Sequence, residues 1–242
     1  MPNYVMLNNV DHQNVKVITE RSARYGDNVH HAMTFPIEFR RVQASYPIFF
    51  QKDSETGKFY PTALFGFEPG ENLFLSDDGW DANYVPLMIQ RHPFLIGYQK
   101  DDEAPDGKRP VVSIDMDSPR VNETEGEPLF LPHGGTSDYL AAVTTALDDI
   151  QFGHEMNAEF VDALLEFDLI ESVAMEIELN DGSKNQLLGL YTINEENLEK
   201  LDSEALGKLH AQRFLLPIYM ILASHSQFRT LIDKRNALLP KS

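Results

Sequence analysis

Residues 35–67 read FPIEFRRVQASYPIFFQKDSETGKFYPTALFGF, and their punctuation decides the fold class. Pro36 suits the first turn of a helix, where its missing N–H would be unpaired anyway. Phe39, Val42 and Tyr46 repeat at helical spacing while Arg40 and Arg41 fall outside that face, which predicts an amphipathic helix over 37–46. Pro47 stops it. Ile48–Gln51 and Tyr60–Phe67 read as strands, and the turn residues Asp53-Ser54-Glu55-Thr56-Gly57 between them predict a hairpin. A helix leading into an antiparallel pair, without a β-α-β rhythm, points to an α+β fold.

Working outward, Glu68-Pro69-Gly70-Glu71-Asn72 is a turn that opens onto Leu73-Phe74-Leu75. Asp77-Asp78-Gly79-Trp80-Asp81 follows and contains the single tryptophan. Residues 83–91 have room for two helical turns before His92-Pro93, because a residue preceding proline avoids helical geometry. Phe94–Tyr98 and Val111–Met116 read as strands joined by a polar connection, Lys100–Arg109, and 117–128 as an acidic irregular segment. Upstream, 4–8 and 15–19 are short extended segments around a polar turn, and 20–27 is a charged loop.

From Ser137 onward the pattern changes. Leu140, Val143, Thr144 and Leu147 repeat at helical spacing, as do Phe160, Ala163, Leu164 and Phe167. Met175–Leu179 alternates as a strand, Asn180-Asp181-Gly182-Ser183 is a hairpin turn because Asp-Gly supplies positive φ, and Leu187–Thr192 returns as the partner. Asn194 caps a short helix whose first turn holds Glu195 and Glu196. Helices over 203–211, 212–224 and 226–238 complete the chain. The expectation is one α+β unit over 1–242, strands concentrated in the first half and helices in the second, with a weak boundary near 130–136.

Composition narrows the function classes. The formal net charge of −18 repels phosphate and anionic lipid, so neither nucleic acid nor a membrane surface is expected as a partner. The absence of cysteine excludes disulfides, thiolate metal sites and thiol catalysis. Fifteen phenylalanines predict a core built on aromatic packing. The N-terminal residues lack a basic segment followed by an apolar run, so no cleaved secretion signal is expected. The most apolar run, FLLPIYMILA at 214–223, is too short to span a bilayer and reads as a core helix.

Three stretches hold chemistry-bearing residues. Asp115, Asp117, Glu123, Glu125 and Glu127 offer carboxylates, but their spacing does not match a calcium loop and Pro119 interrupts it; a solvated acidic loop is preferred and no metal is expected. Asp78 and Asp81 flank Trp80 in a glycine turn, suited to a sugar face or an amine; the competing reading has Trp80 anchoring the turn to the core. His133, Gly134 and Gly135 precede a predicted helix, where glycines let backbone approach a ligand. Without any Gly-x-Ser-x-Gly, the His-Gly-Gly run is not an esterase oxyanion loop. No HExxH, P-loop or dinucleotide fingerprint occurs, so no catalytic residue and no cofactor is assigned.

The segments NYVMLNNVDHQNVKVITERSARYGDN, FPIEFRRVQASYPIFF, ALFGFEPGENLF, IDMDSPRVNETEGEPLFLPHGG and IELNDGSKNQLLGLYTINEENL together resemble the bacterial SapC family over nearly the whole chain. The resemblance implies a protein named for a surface-array (S-layer) cluster, with no established catalytic residues. Family members are often encoded beside tryptophan-halogenase-like and cupin-like proteins and TonB-dependent receptors, which implies an accessory role in uptake or metabolism. Three readings follow: a cytoplasmic, non-catalytic binding or accessory protein with a protein or small-molecule partner; a cell-surface structural protein; and an enzyme with a site near Trp80 or His133. The lack of a secretion signal favours the first.

Overall fold

Asp53 closes the first hairpin: its Oδ1 accepts from the amides of Glu55 (3.1 Å) and Thr56 (2.7 Å), and Gly57 follows with φ +70°. Asp181 and Gly182, at φ 82°, do the same at the last hairpin. The computed structural model describes residues 2–103 and 107–240. In chain order its strands are β1 (Tyr4–Met6), β2 (Lys16–Val17), β3 (His31–Met33), β4 (Ile48–Lys52), β5 (Phe59–Leu64), β6 (Leu75–Ser76) and β7 (Gly79–Trp80). Next come β8 (Phe94–Lys100), β9 (Lys108–Asp115), β10 (Val121–Asn122), β11 (Glu127–Pro128), β12 (Ile170–Glu178) and β13 (Lys184–Ile193). The α-helices are α1 (Phe39–Val42), α2 (Leu87–Gln90), α3 (Asp138–Glu166), α4 (Glu195–Glu199), α5 (Ser203–Ala211), α6 (Leu215–Ser224) and α7 (Gln227–Ala237). The fold is α+β, with strands mostly in the first half and helices in the second.

The chain divides into two compact units, neither continuous in sequence. The first takes the residues up to Asp27 together with Leu87–Gln151. Its main sheet has the order β1-β9-β8, all antiparallel, with Met6 opposite Ser113 and Gln99 opposite Arg109. A smaller sheet, β10-β2-β11, brings Val121 and Glu127 to either side of Val17. The first half of α3 supplies buried Leu140, Val143 and Leu147, three apolar positions on one helical face, and Phe94, Ile114 and Leu129 are buried with them. Ser137 caps α3 by accepting from the Leu140 amide (3.1 Å), so the helix begins where the sequence places it. A buried ion cluster ties the loop before Asp27 to the segment after β9: Arg120, 1% exposed, pairs with Asp27, 2% exposed, and donates to the carbonyls of Ile18 (2.9 Å) and Glu20 (2.7 Å).

The second unit takes Asn28–Pro86 and the chain from Phe152 onward. Its five-stranded antiparallel sheet has the order β12-β13-β4-β5-β3. The late hairpin therefore joins the early one, with Tyr191 opposite Phe50. Phe50, Phe160, Phe214 and Phe39 pack ring against ring, each fully or almost fully buried, and each such side chain contributes about 1.5–3 kcal/mol of burial. Gly153, Asn157 and Phe160 lie along one face of α3. A Cβ on Gly153 would sit 2.6 Å from Phe35 Cγ, and Asn157 donates to the Thr34 carbonyl (3.2 Å), so this helix abuts the backbone around residue 35. Ser224 of α6 accepts from the Ile48 amide (2.8 Å), which fixes that helix on β4.

Several elements differ from the sequence reading. The helix expected over 37–46 is regular only at Phe39–Val42, its flanks being tighter turns in which Glu38 donates to the Phe35 carbonyl and Ser45 to that of Val42, and that over 83–91 only at Leu87–Gln90, between Pro86 and Pro93. The two helical patterns at 140–147 and 160–167 belong to one 29-residue helix, since Gly153 serves close packing and not a break. The segment 117–128, expected to be irregular, contributes β10 and β11. The strands β8 and β9 run further into the Lys100–Arg109 connection than predicted, and the centre of that connection, 104–106, lies outside the described residues. Among the described residues no helix is long and apolar enough to cross a membrane.

Candidate functional site

Trp80 sits in β7, in the second unit, half-buried at the end of a chain of aromatic and polar contacts. Its ring meets Phe65 edge-on at 5.3 Å, and its Nε1 donates to the Tyr46 hydroxyl (2.7 Å). Tyr46 in turn donates to the Tyr84 carbonyl. The Tyr84 hydroxyl donates to Glu38 Oε2 (2.8 Å), and Thr34 donates to Glu38 Oε1 (2.8 Å). Burial pushes the Tyr46 phenol up, which keeps it a proton donor at any ordinary pH. This is the arrangement of an anchor: a fully buried carboxylate is satisfied by two hydroxyls, and the tryptophan N–H finds its partner. Asp81 pairs with Lys234 (2.5 Å), and Asp78 is exposed in the tight turn between β6 and β7.

His133, Gly134 and Gly135 belong to the first unit. A bridge between Phe130 and Thr136 closes their loop, with Leu131 donating to the Gly135 carbonyl (2.7 Å) and Gly134 to that of Leu131 (2.9 Å). Gly134 takes φ 86°, open to glycine at no cost, and the Asn9 amide donates to its carbonyl (3.2 Å). His133 is exposed and has no hydrogen bond or ion pair with another described residue.

Around Gly134 the unit forms a groove of about 480 Å³, within the range of small-molecule sites. Its construction follows from strand geometry. Gln99 and Arg109 face each other across β8 and β9, and Val111, two residues on, shares their side of the sheet. Leu140 and Thr144, one turn apart on α3, form another wall. Asn8 and Asn9 after β1, with Gly134 and Thr136 of the loop, complete it. Met6, Val111, Phe130 and Leu140 give an apolar lining, and Arg109 is the only ionisable side chain among the described lining residues. Arg109 is exposed and forms no ion pair with any described residue. The arrangement offers one guanidinium, several amides and an apolar wall, groups that recognise a ligand without exchanging protons with it.

The acidic segment 115–127 holds its carboxylates apart. Asp115 accepts from the amides of Asn3 (2.7 Å) and Asp117 (3.2 Å), and Asn122 organises the following turn through the amides of Thr124 and Glu125. Among the described residues no three His, Asp or Glu side chains gather as a metal ion would require. Sequence reasoning singled out Gly134 and missed Asn9, Gln99 and Arg109, which lie in polar or strand segments of ordinary composition. The one signal available was register: pairing Phe94–Tyr98 with Val111–Met116 places Gln99 and Arg109 on one side of one hairpin.

No curated protein and no solved structure matches the chain. The SapC family model matches residues 7–231, which includes both units almost entirely. This chain belongs to the SapC family.

Proposed function

We propose that the protein is a non-catalytic binding or accessory protein whose ligand seat is the groove beside Gly134. The ligand is a small carboxylate with an apolar body. The observation that carries this reading is the groove's lining: a guanidinium, Arg109, without an ion-pair partner among the described residues, opposite Gln99, over an apolar wall. A carboxylate pairs with guanidinium in a fork of two hydrogen bonds, and the amides of Asn8, Asn9 and Gln99 supply further donors. An accessory role beside halogenase-like enzymes, which the family resemblance implies, and a cytoplasmic location are part of the same proposal: such a protein would hold an organic acid for, or signal its presence to, an enzyme partner.

Calorimetric titration of the full chain with phenylacetate, phenylacetamide and phenethylamine separates the charges. Only phenylacetate is expected to bind saturably, and Arg109→Gln should weaken it by about tenfold or more, the worth of a charge-assisted hydrogen bond. Equal binding of the neutral amide, or no effect of the substitution, would remove the proposal.

A further inference from the structure

The second unit carries an apolar face that its own fold does not explain. Helix α6, LLPIYMILAS, has no charged residue over its ten positions. A helix that is apolar all round is ordinarily buried all round. Here Leu216 is 53% exposed and Tyr219 54%, and Ile37 beside α1 is 38% exposed. Leu216, Tyr219 and Met220 follow one another at helical spacing, so they make a continuous stripe. Leu216 and Met220 line a groove of about 260 Å³ with Ile37 and Met156, room for one or two apolar side chains.

Two guanidiniums border the same groove, Arg40 and Arg213. Both are exposed, and neither forms an ion pair with a described residue, although the chain carries 38 carboxylates against 20 Lys and Arg. Arg213 also holds a costly backbone position. It follows the last turn of α5 with φ 64°, the left-handed conformation that favours glycine. Its amide donates to the His210 carbonyl (3.0 Å), and the Phe214 amide reaches back to that of Leu209 (2.9 Å), so the helix stop itself would be served better by glycine. A strained arginine whose side chain borders an apolar groove is an observation that points from backbone to function.

We propose that this face docks a partner protein through an acidic, amphipathic segment: apolar side chains enter the groove against Leu216 and Met220, and flanking carboxylates pair with Arg40 and Arg213. Local charge complementarity chooses this occupant: Arg40 and Arg213 at the groove have no ion pair with a described residue, and flanking carboxylates supply one. The site lies in the second unit and does not depend on the ligand seat of the first.

The test uses the full chain and a fluorescein-labelled helical peptide with leucine on one face and glutamate on the other, read by anisotropy. Saturable binding is expected, weakened about tenfold or more by either Arg213→Gly or Leu216→Glu, as for a residue central to an interface. Arg213→Gly should meanwhile hold or raise the melting temperature, by up to about 2–4 °C, because it relieves the left-handed strain. That combination, a more stable protein that binds less well, is not what a merely structural arginine would give. The same peptide with lysine for glutamate should not bind. Failure of the glutamate peptide to bind, unchanged affinity in Arg213→Gly, or sedimentation showing a wild-type dimer that Leu216→Glu dissociates would each overturn the proposal, the last in favour of a second copy.

Discussion

Replacing Asp27 by alanine should be among the most damaging single changes in the first unit. Its carboxylate is 2% exposed, pairs with Arg120 Nη2, lies 3.3 Å from Arg21 Nη1 and accepts from the Ser22 amide at 2.9 Å. Arg120 is 1% exposed, stacks its guanidinium 5.3 Å from the Tyr25 ring, and cannot be rehydrated without opening the segment. Burial already lowers the Arg21 pKa, and the nearby Arg120 charge lowers it further, with Asp27 opposing both. Removing the carboxylate leaves two guanidiniums facing each other, one in a dry interior, and strands a backbone N–H. Breaking a buried pair in this way costs about 3–5 kcal/mol, and for a chain of this length each kcal/mol moves the melting temperature by about 2–4 °C, so a fall of about 6–20 °C is expected. Scanning calorimetry reads the fall, and amide exchange should place the loosening in residues 18–27 and around 120. Asp27→Leu combined with Arg120→Met removes both charges and should recover much of the loss, because an apolar replacement of a whole buried pair is often neutral. A fall of under about 2 °C in Asp27→Ala, or no recovery in the double variant, would refute the reasoning.

Trp80→Ala should destabilise by about 3 kcal/mol through lost packing on Phe65 and Tyr46, while Trp80→Phe should lose only about 1 kcal/mol with the hydrogen bond to Tyr46; chemical denaturation distinguishes the two. Gly153→Ala should cost about 1–3 kcal/mol in the same assay, because the added carbon meets the buried Phe35 ring at 2.6 Å. Burial, reinforced by the adjacent His30, holds the His31 imidazole down at about 4 from an ordinary 6.5. The unfolded chain thus takes up a proton that the folded chain refuses, so His31's contribution is whole above pH ~6.5 and is lost as pH falls towards 4; His31→Gln should flatten that part of a stability–pH curve.

Local pattern and turn chemistry made much of the fold legible. The hairpins at Asp53–Gly57 and Asp181–Gly182 close within a few residues, so both strands and the turn lie in one reading window. Asn194 announced α4 by the side chain that accepts from the Asn197 amide (2.8 Å), and the Ser203–Ala211 helix appears with the bounds its pattern predicts. What could not be read were pairings across long sequence distances. Nothing in Leu187–Thr192 names Phe50 as a neighbour, and nothing in Tyr4–Met6 names Ser113–Asp115, because a strand's alternation fixes its faces and not its partner. The division into two interleaved units, each built from both early and late chain, follows from those pairings. Asp27 and Arg120 were invisible for the same reason: apart in sequence, each reads as an ordinary surface charge. Of the candidate site, Gly134 was legible through its glycine loop, whereas Arg109 gains meaning only when the hairpin sets it opposite Gln99 and the loop closes beside it.

The central claim is that the first unit binds a small carboxylate beside Arg109, and residue-resolved NMR of the full chain titrated with phenylacetate tests it most directly. Saturable shift changes are expected for the amides of Asn9, Val111 and Gly134 and the methyls of Met6 and Leu140, all lining the groove, and these changes should vanish in Arg109→Gln while the spectrum otherwise stays folded. Shifts gathered elsewhere in the molecule, or an undiminished response in Arg109→Gln, would contradict it.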